Sequence, residues 1–285
     1  MPIRGGQVHE FSRLTRIAVF LLSLLPVGLY AQVPCASPTL PEAFRQFGNL
    51  ERDRIFTDFG NLYNQHNVKN FGVALLGAGV MANTTIDSKF QHWHAKQTLS
   101  GFSNELSEFS KVFGEGQYFI PVMITSAITY RFWQGKKGGL PECAFGEFTD
   151  RTMRGYFVGF PTLLTMQSVL GGDRPHDGSD WKPFQQNHGV SGHAFIGAVP
   201  FMTAAQMTDK PLVKGLCYTL SVLPAWSRVN DDAHYLSQAM LGWYLAYLSV
   251  RAVSQTESRS LLPRGLTLFP VSEVNTVGIG LHYQY

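Results

Sequence analysis

Apolar residues recur mostly at steps of three and four between Pro41 and Asn67, which is the spacing of one helix face. The stripe consists of Phe44, Phe47, Leu50, Ile55, Phe56, Phe59, Leu62 and Tyr63. We therefore predict an amphipathic helix here, with a break near Gly48. Its polar side mixes both signs of charge without a strong basic excess, which favours packing into a core over binding to an anionic membrane surface.

Six further apolar segments follow, most of them bounded by Gly, Pro, Asp or Asn. They are Phe71–Asn83, Tyr118–Trp133, Gly155–Leu170, Ala194–Ala205, Val213–Trp226 and Tyr235–Val250. We predict that they are helices of one bundle. Each is shorter than the ~20 apolar residues that a spanning helix needs, which favours a soluble or peripheral bundle. Runs of about 16 residues leave a multi-spanning bundle open.

After Pro263 the pattern changes to two short runs rich in Val, Thr, Tyr and Phe, with a turn over residues 272–275. The predicted fold is therefore an all-α helical bundle over residues 41–262 followed by a small β-hairpin over residues 266–285. The expected role of the hairpin is a lid or an edge of the bundle.

The first 31 residues have the pattern of an export signal. Three arginines precede the apolar run Ile17–Val27, and Leu29–Ala31 offers a small-residue cleavage site. Cleavage after Ala31 would leave residues 32–285, a length suited to one domain. An uncleaved anchor stays open as the alternative. Both interpretations predict export to the periplasm or cell envelope, with membrane association left open.

Charge and cysteine content exclude some classes of function. Removing residues 1–31 takes three arginines and Glu10 from 23 basic and 20 acidic residues, which leaves a net charge near +1. A nucleic-acid partner would need a larger basic excess, so none is expected. Cys35, Cys143 and Cys217 lack metal-ligand spacing, so no metal site is expected. Cys35 and Cys143, both in loop-like stretches, are candidates for a disulfide, whereas Cys217 is expected to be buried and free.

Three clusters of polar residues lie where a loop meets an apolar helix. They are Gly172–Pro175, Val190–His193, and Ser227-Arg228 followed by His234. Together they supply two guanidinium groups and two imidazoles. Each cluster alone is also compatible with an ordinary helix end.

The local sequence predicts how these clusters present their side chains. Arg174 follows the end of the helix that carries Gln167 and can project into a cleft. Ser191 is a candidate N-cap, so the unpaired N–H groups after it form a seat for an anion. Gly192 allows close approach of the backbone to that anion.

His234 is expected in the first turn of the last helix of the bundle. Gln238 lies four residues later, where its carbonyl can accept the Nδ1–H of His234 and leave Nε2 free. A buried polar pair without catalytic function is the alternative. The expected cap residues of this helix are Asn230, Asp231 and Asp232.

Further polar residues lie near the predicted cleft. The carboxylates of the loops are expected to be solvated. They belong to Asp173, Asp177, Asp180, Asp231 and Asp232. A substrate contact by His188 is left open.

The joint order of the clusters resembles the type 2 phosphatidic acid phosphatase superfamily. That pattern is Lys, six residues, Arg-Pro; then Pro-Ser-Gly-His; then Ser-Arg, five residues, His, three residues, Asp. The resemblance covers about Gln167 to Gly242. The chain departs from it in having Gln167 for Lys, Val190 for Pro and Gln238 for Asp.

The resemblance implies a metal-independent phosphatase without a cofactor. His234 would be the nucleophile, His193 the general acid, and Gln238 the residue behind the nucleophile. The phosphate-binding groups would be Gln167, Arg174, Ser191, Gly192 and Arg228.

The resemblance also implies a substrate that is a lipid phosphate, a diphosphate or a soluble monoester. Two alternatives stay open. One is a vanadium-dependent haloperoxidase. The other is a phosphate-binding protein without turnover, which the two Gln replacements suggest.

Overall fold

A computed structural model of the chain describes residues 52–133, 140–175, 178–260, 266–273 and 276–283. These ranges are mostly helical, which confirms the predicted all-α class. The helices are α1 (residues 52–62), α2 (Gln65–Ala82), α3 (Ile86–Gln97), α4 (Gly101–Lys111), α5 (Gly116–Trp133), α6 (Leu140–Leu170), α7 (Gly192–Gln206), α8 (Pro211–Asn230) and α9 (Leu236–Ser260).

All six predicted apolar segments lie almost entirely within helices, but two helices were not predicted. Helices α3 and α4 are short and rich in polar residues, so they lack the long apolar runs that indicate the others. The described part of the stretch predicted to be helical up to Asn67 is helical, but it is broken at residues 63–64. The helix ends at residue 62, and Asn64 caps α2 by accepting a hydrogen bond from Asn67 N at 2.8 Å.

Several predictions fall on residues outside the described ranges. Residues 1–51 contain the predicted signal sequence, Cys35 and the helix break near Gly48. Cys143 lies in α6, not in a loop, and its predicted disulfide is not described. Cys217 is buried and free, as expected. Among the described helices, we find none that is long and apolar enough to cross a membrane.

Two strands follow the helices. β1 (Leu266–Glu273) pairs antiparallel with β2 (Thr276–Tyr283), with Leu266 opposite Tyr283 and Glu273 opposite Thr276. The role of this segment as a lid or edge of the bundle stays a prediction.

Helix α7 forms the centre of the bundle. Eleven of its 15 residues are buried, so it is apolar on nearly all sides and is enclosed by other helices. Its Phe195 packs against Tyr156 and Phe160 of α6. Because the enclosed helix begins at Gly192, the core fixes the place of the Ser191–His193 cluster.

A buried network of charges holds α1, α6 and α9 together. Arg154 donates two hydrogen bonds of 2.8 Å to Asp58 and forms an ion pair with Glu257. Arg54 also bonds Glu257, at 2.9 Å. Burial raises the pKa of Asp58, against the opposing effect of Arg154. The network therefore depends on Arg154 to keep Asp58 ionised.

Candidate active site

The first cluster is placed by the sharp end of α6. Gly171 has φ +63°, and a Cβ there would lie 1.8 Å from the Lys182 carbonyl oxygen, so only glycine fits. Gly172 also has positive φ, at +103°. The chain then turns to Arg174, which is exposed just past the helix end, as predicted.

The second cluster is a capped helix N-terminus. The Ser191 side chain accepts a hydrogen bond from Ala194 N at 3.3 Å, as predicted for an N-cap. If Gly192 carried a Cβ, the nearest atom of another residue would be Gln167 Nε2, at 3.4 Å. Gln167 donates to the Val190 carbonyl at 3.0 Å and thus lies beside Gly192, with its second amide N–H left to contact an anion.

His234 lies in the turn between α8 and α9, which corrects the prediction that it lies in the first turn of a helix. The turn begins because Asp231 N bonds back to the Ser227 carbonyl at 2.9 Å and Asp232 adopts φ +55°. These residues therefore close α8 and do not cap α9. At the start of α9, the side-chain oxygen of Gln238 instead accepts a hydrogen bond from Tyr235 N at 3.1 Å.

Gln238 holds His234 by the predicted contact, with His234 Nδ1 2.9 Å from Gln238 Oε1. Gln238 Nε2 donates to the Asp173 carbonyl at 2.9 Å, and Oε1 accepts from Tyr235 N. Both contacts fix the amide with its oxygen toward the imidazole. Nδ1 must therefore carry the proton, which leaves the lone pair on Nε2.

Hydrogen bonds join all three clusters into one site. Ser191 N donates to the Gln238 carbonyl at 3.0 Å, and Gln238 itself reaches Asp173. The Tyr235 hydroxyl donates to the Pro175 carbonyl at 2.9 Å. The structure thus brings together segments that are up to 65 residues apart in the sequence.

A comparison with protein families matches residues 151–261 to the model described as the PAP2 superfamily. Residues 151–261, called the PAP2 segment below, are thus similar to that superfamily. This superfamily covers phosphatases and haloperoxidases. The matched range contains all three clusters. Neither curated proteins nor solved structures gave a match to the chain.

Helix α3 lies outside the PAP2 segment, but it holds both ends of the turn that contains His234. Asp87 is fully buried and accepts hydrogen bonds from the Ser237 hydroxyl and, at 3.1 Å, from Ser237 N. Gln91 Nε2 donates to the Val229 carbonyl at 3.0 Å and to Asp232 at 2.8 Å. Sequence reasoning missed both residues, since nothing local links this polar helix to a turn about 140 residues later.

His234 and His193 are both kept neutral in the anion-free site. Burial lowers the pKa of His234 to about 3, and Arg228 adds to this effect while the Gln238 hydrogen bond opposes it. Burial also lowers the pKa of His193 to about 4, assisted by Arg228, Lys111 and Arg174. A bound anion would offset these cations and raise both pKa values.

Arg228 is a largely buried cation with spare donor capacity. Its Nη1 lies 3.5 Å from Asp231 Oδ2, and among the described residues its buried Nε has no hydrogen-bond partner. A guanidinium with an unused buried donor fits an oxyanion. Burial lowers the pKa of Arg228, which an anion would reverse.

Lys111 is a third cation near the PAP2 site that sequence reasoning missed. It ends α4, directly before the 3₁₀ turn Val112–Gly114. That turn packs so closely on α7 that a Cβ on Gly114 would lie 2.7 Å from the His193 carbonyl oxygen. The charge of Lys111 accordingly lowers the pKa of His193.

His188 lies at the site, although the sequence left its contact with substrate open. Its ring meets that of His234 edge to face, with centroids 5.9 Å apart and planes at 73°. Burial and Arg174 lower the pKa of His188. A neutral ring in this position limits access to His234 from one side.

Three of the loop carboxylates that were expected to be solvated instead have partners in the protein. Asp173 is buried and paired with Lys182, Asp231 pairs with Arg228, and Asp232 accepts from Gln91. Asp180 is exposed, as expected, and Asp177 lies outside the described residues. Pairing reduces the repulsion that Asp173 and Asp231 would exert on a phosphate.

Proposed function

We propose that the protein is a metal-independent phosphatase that acts on phosphate monoesters or diphosphates through a phosphohistidine at His234. One observation carries the proposal. Gln238 fixes the proton of His234 on Nδ1, so that Nε2 presents its lone pair in a site with two arginines and a helix N-terminus. An unprotonated nitrogen beside a phosphate seat is what nucleophilic attack on phosphorus requires.

In the first step His234 Nε2 attacks phosphorus, and the bond from phosphorus to the ester oxygen breaks. His193 gives its proton to the leaving oxygen, so the product leaves as an alcohol. His193 must be protonated to do this, although its pKa is about 4 in the free protein. The charge of the bound phosphate offsets Arg228, Lys111 and Arg174 and thereby raises that pKa.

In the second step His193, now neutral, takes a proton from water. The water oxygen attacks phosphorus, and the bond between phosphorus and His234 Nε2 breaks. Inorganic phosphate leaves, His234 regains its lone pair, and His193 has recovered its proton. The two steps balance without any further reactant.

The equatorial oxygens of the transferring group carry the charge that the site must stabilise. We assign this task to the side chains and backbone of Gln167, Arg174, Ser191, Gly192 and Arg228. Arg174 is exposed and free to close on the substrate, whereas Arg228 is held in place by Asp231. Because Gly192 has no Cβ, an oxygen can approach its backbone N–H beside the Gln167 amide.

The substrate classes that fit are lipid phosphates, prenyl diphosphates and soluble monoesters. The proposed place of action is the cell envelope, because residues 1–31 have the pattern of an export signal. A membrane surface is the proposed source of any lipid substrate. These assignments rest on sequence pattern and on the PAP2 superfamily.

Phosphate release should survive a chelator and stop with vanadate, because the arginines and the helix N-terminus supply the positive potential that a metal ion would otherwise provide. The measurement is phosphate release by the purified chain from lipid phosphates, prenyl diphosphates and phenyl phosphate in EDTA. Activity that disappears in EDTA and returns with a divalent cation would overturn the proposal. Halide oxidation after loading with vanadate, without phosphate release, would favour a haloperoxidase.

Changing Gln238 should alter the rate and its pH dependence. Gln238→Met removes the acceptor for Nδ1–H and should lower kcat/KM by about tenfold to a hundredfold, as losses of orienting partners do. Gln238→Glu adds a negative charge beside His234 and raises its pKa from about 3. Since the nucleophile must be unprotonated, the acidic limb of kcat/KM should then move to higher pH.

The control for Gln238 is Gln185→Met, a change at an exposed glutamine. It should leave both the rate and the pH profile unchanged. A Gln238→Met protein with the activity of the parent would show that Gln238 does not orient His234.

A further inference from the structure

Asp87 of α3 is a buried carboxylate that has no positively charged partner among the described residues. Its partners belong to one residue of α9, since Ser237 N donates to it at 3.1 Å and the Ser237 hydroxyl donates as well. Burial raises the pKa of Asp87, and these two bonds oppose the rise. A buried carboxylate without a cation is costly, so its presence calls for an explanation.

Two helix N-termini meet at this carboxylate. Helix α3 begins at Ile86, so Asp87 lies in its first turn. Helix α9 begins at Leu236, so Ser237 lies in the first turn of that helix. The unpaired N–H groups and the dipole give each helix start a partial positive charge. The two helix starts therefore take the place of a cation and stabilise the ionised carboxylate.

The start of α9 lacks a complete cap from its own sequence. In a capping box, the N-cap side chain accepts from an N–H of the first turn, and the third helical residue accepts from the N-cap N–H. Gln238 is that third residue, and it accepts from Tyr235 N at 3.1 Å. Tyr235 at the N-cap does not supply the other half, because its hydroxyl donates to the Pro175 carbonyl. Asp87 supplies that half from another helix.

We propose that Asp87 is a positioning residue for His234 and acts through the first turn of α9. The inference rests on the proposed role of His234 as the nucleophile. Asp87 fixes Ser237, which directly precedes Gln238. The Gln238 Oε1 that bonds Tyr235 N is also the atom 2.9 Å from His234 Nδ1. If the first turn of α9 loosens, this oxygen loses its place, and the proton of His234 is no longer confined to Nδ1.

The phosphate seat is formed mainly by other parts of the chain, so Asp87 should affect the chemical step more than binding. Ser191 and Gly192 belong to the start of α7, and Arg228 lies in the last turn of α8. A residue that orients only the nucleophile contributes to the transition state and not to binding of the ground state. We therefore expect its loss to lower kcat and to leave the affinity for inorganic phosphate unchanged.

Asp87→Ala removes both acceptors and keeps a residue that suits a helix. The single-turnover rate of the first step with 4-nitrophenyl phosphate should fall by about tenfold to a hundredfold, as losses of orienting partners do. The Kd of inorganic phosphate should change by less than about threefold. Circular dichroism checks that the variant is folded.

A second readout needs no turnover. Nitrogen NMR of isotope-labelled histidine rings in the anion-free protein reports which ring nitrogen of His234 carries the proton, and His234→Ala assigns the signal. The parent should show the Nδ1–H form alone. Asp87→Ala should show a mixture of both tautomers.

Two variants separate positioning from a general loss of stability. Asp87→Asn keeps an acceptor for the Ser237 N–H and can donate to its hydroxyl, so it should restore the rate and the tautomer of the parent. Asn61→Ala is the matched structural control, because it removes buried hydrogen bonds to the other end of α9. These join Asn61 to the Ala252 carbonyl at 3.1 Å and to Thr256 at 3.0 Å. Asn61→Ala should lower the free energy of unfolding without changing either readout.

Ser237→Ala removes one of the two bonds to Asp87 and is the milder variant, for use if Asp87→Ala does not fold. It should show both tautomers and a rate lowered by about threefold to tenfold, the effect of one net hydrogen bond. The parent tautomer in folded Asp87→Ala, equal changes in Asn61→Ala, or no restoration by Asp87→Asn would each overturn the proposal. With Asp87→Ala unfolded, an unchanged tautomer in Ser237→Ala would do the same. A parent protein that releases no phosphate would refute the phosphatase, and the NMR result would still decide whether Asp87 positions His234.

Discussion

His234→Ala is expected to abolish phosphate release, with a loss of about 10⁴-fold or more, because we assign the covalent intermediate to His234. His234 is the imidazole in the site whose proton is fixed away from the substrate by Gln238. Its neighbour His188 meets it edge to face and lacks such a partner among the hydrogen bonds of the described residues. His188 should therefore not replace it. The measurement is steady-state hydrolysis of phenyl phosphate.

His193→Ala should behave differently and thereby separates the two roles. With 4-nitrophenyl phosphate, whose leaving group needs little protonation, the first step should continue and release 4-nitrophenol in a burst. The second step should slow by about 10² to 10⁴-fold, since no base activates water. His92→Ala, at an exposed position, is the control and should match the parent. A burst in His234→Ala, or equal behaviour of the two variants, would contradict these roles.

Arg154→Met should destabilise the protein by about 3–5 kcal/mol, the cost of removing one partner from a buried ion pair. Met keeps much of the side-chain volume, so the loss reflects charge and not a cavity. Asp58 is fully buried and loses two hydrogen bonds of 2.8 Å. Urea unfolding followed by circular dichroism measures the change.

The loss in Arg154→Met should depend on pH. Without Arg154 the pKa of Asp58 rises further above its unfolded value, so the folded variant takes up protons more readily than the unfolded chain. Its stability relative to the parent should therefore recover as the pH falls below that raised pKa. The control is Arg52→Ala, which removes an exposed ion pair with Asp53 and should lower the free energy of unfolding by less than about 1 kcal/mol. Equal losses in both variants would show that the network does not depend on Arg154.

The sequence predicts those parts of the site that depend on local order. The spacing of Arg174, Ser191-Gly192-His193, Arg228 and His234 identifies the clusters, and helix ends explain how the first two are presented. The spacing of Gln238 and His234 also predicts their contact. The position of His234 differs, because α8 runs on to Asn230, Asp232 turns the chain with positive φ, and α9 begins only at Leu236.

Residues that act from another part of the chain could not be predicted. Asp87 and Gln91 hold the His234 turn from α3, and Lys111 reaches the surroundings of His193 from the end of α4. These helices are short and rich in polar residues, and their contacts depend on how the bundle packs.

In the proposed mechanism the phosphoryl group passes through Nε2 of His234. The direct measurement is mass spectrometry of His193→Ala protein quenched in alkali within the first turnover of 4-nitrophenyl phosphate, since phosphohistidine survives alkali and breaks down in acid. We predict one phosphoryl group per chain, located on His234, lost on acid treatment and absent from the His193→Ala/His234→Ala double variant. Phosphate on another residue, or a burst of 4-nitrophenol without any phosphorylated chain, would contradict the claim.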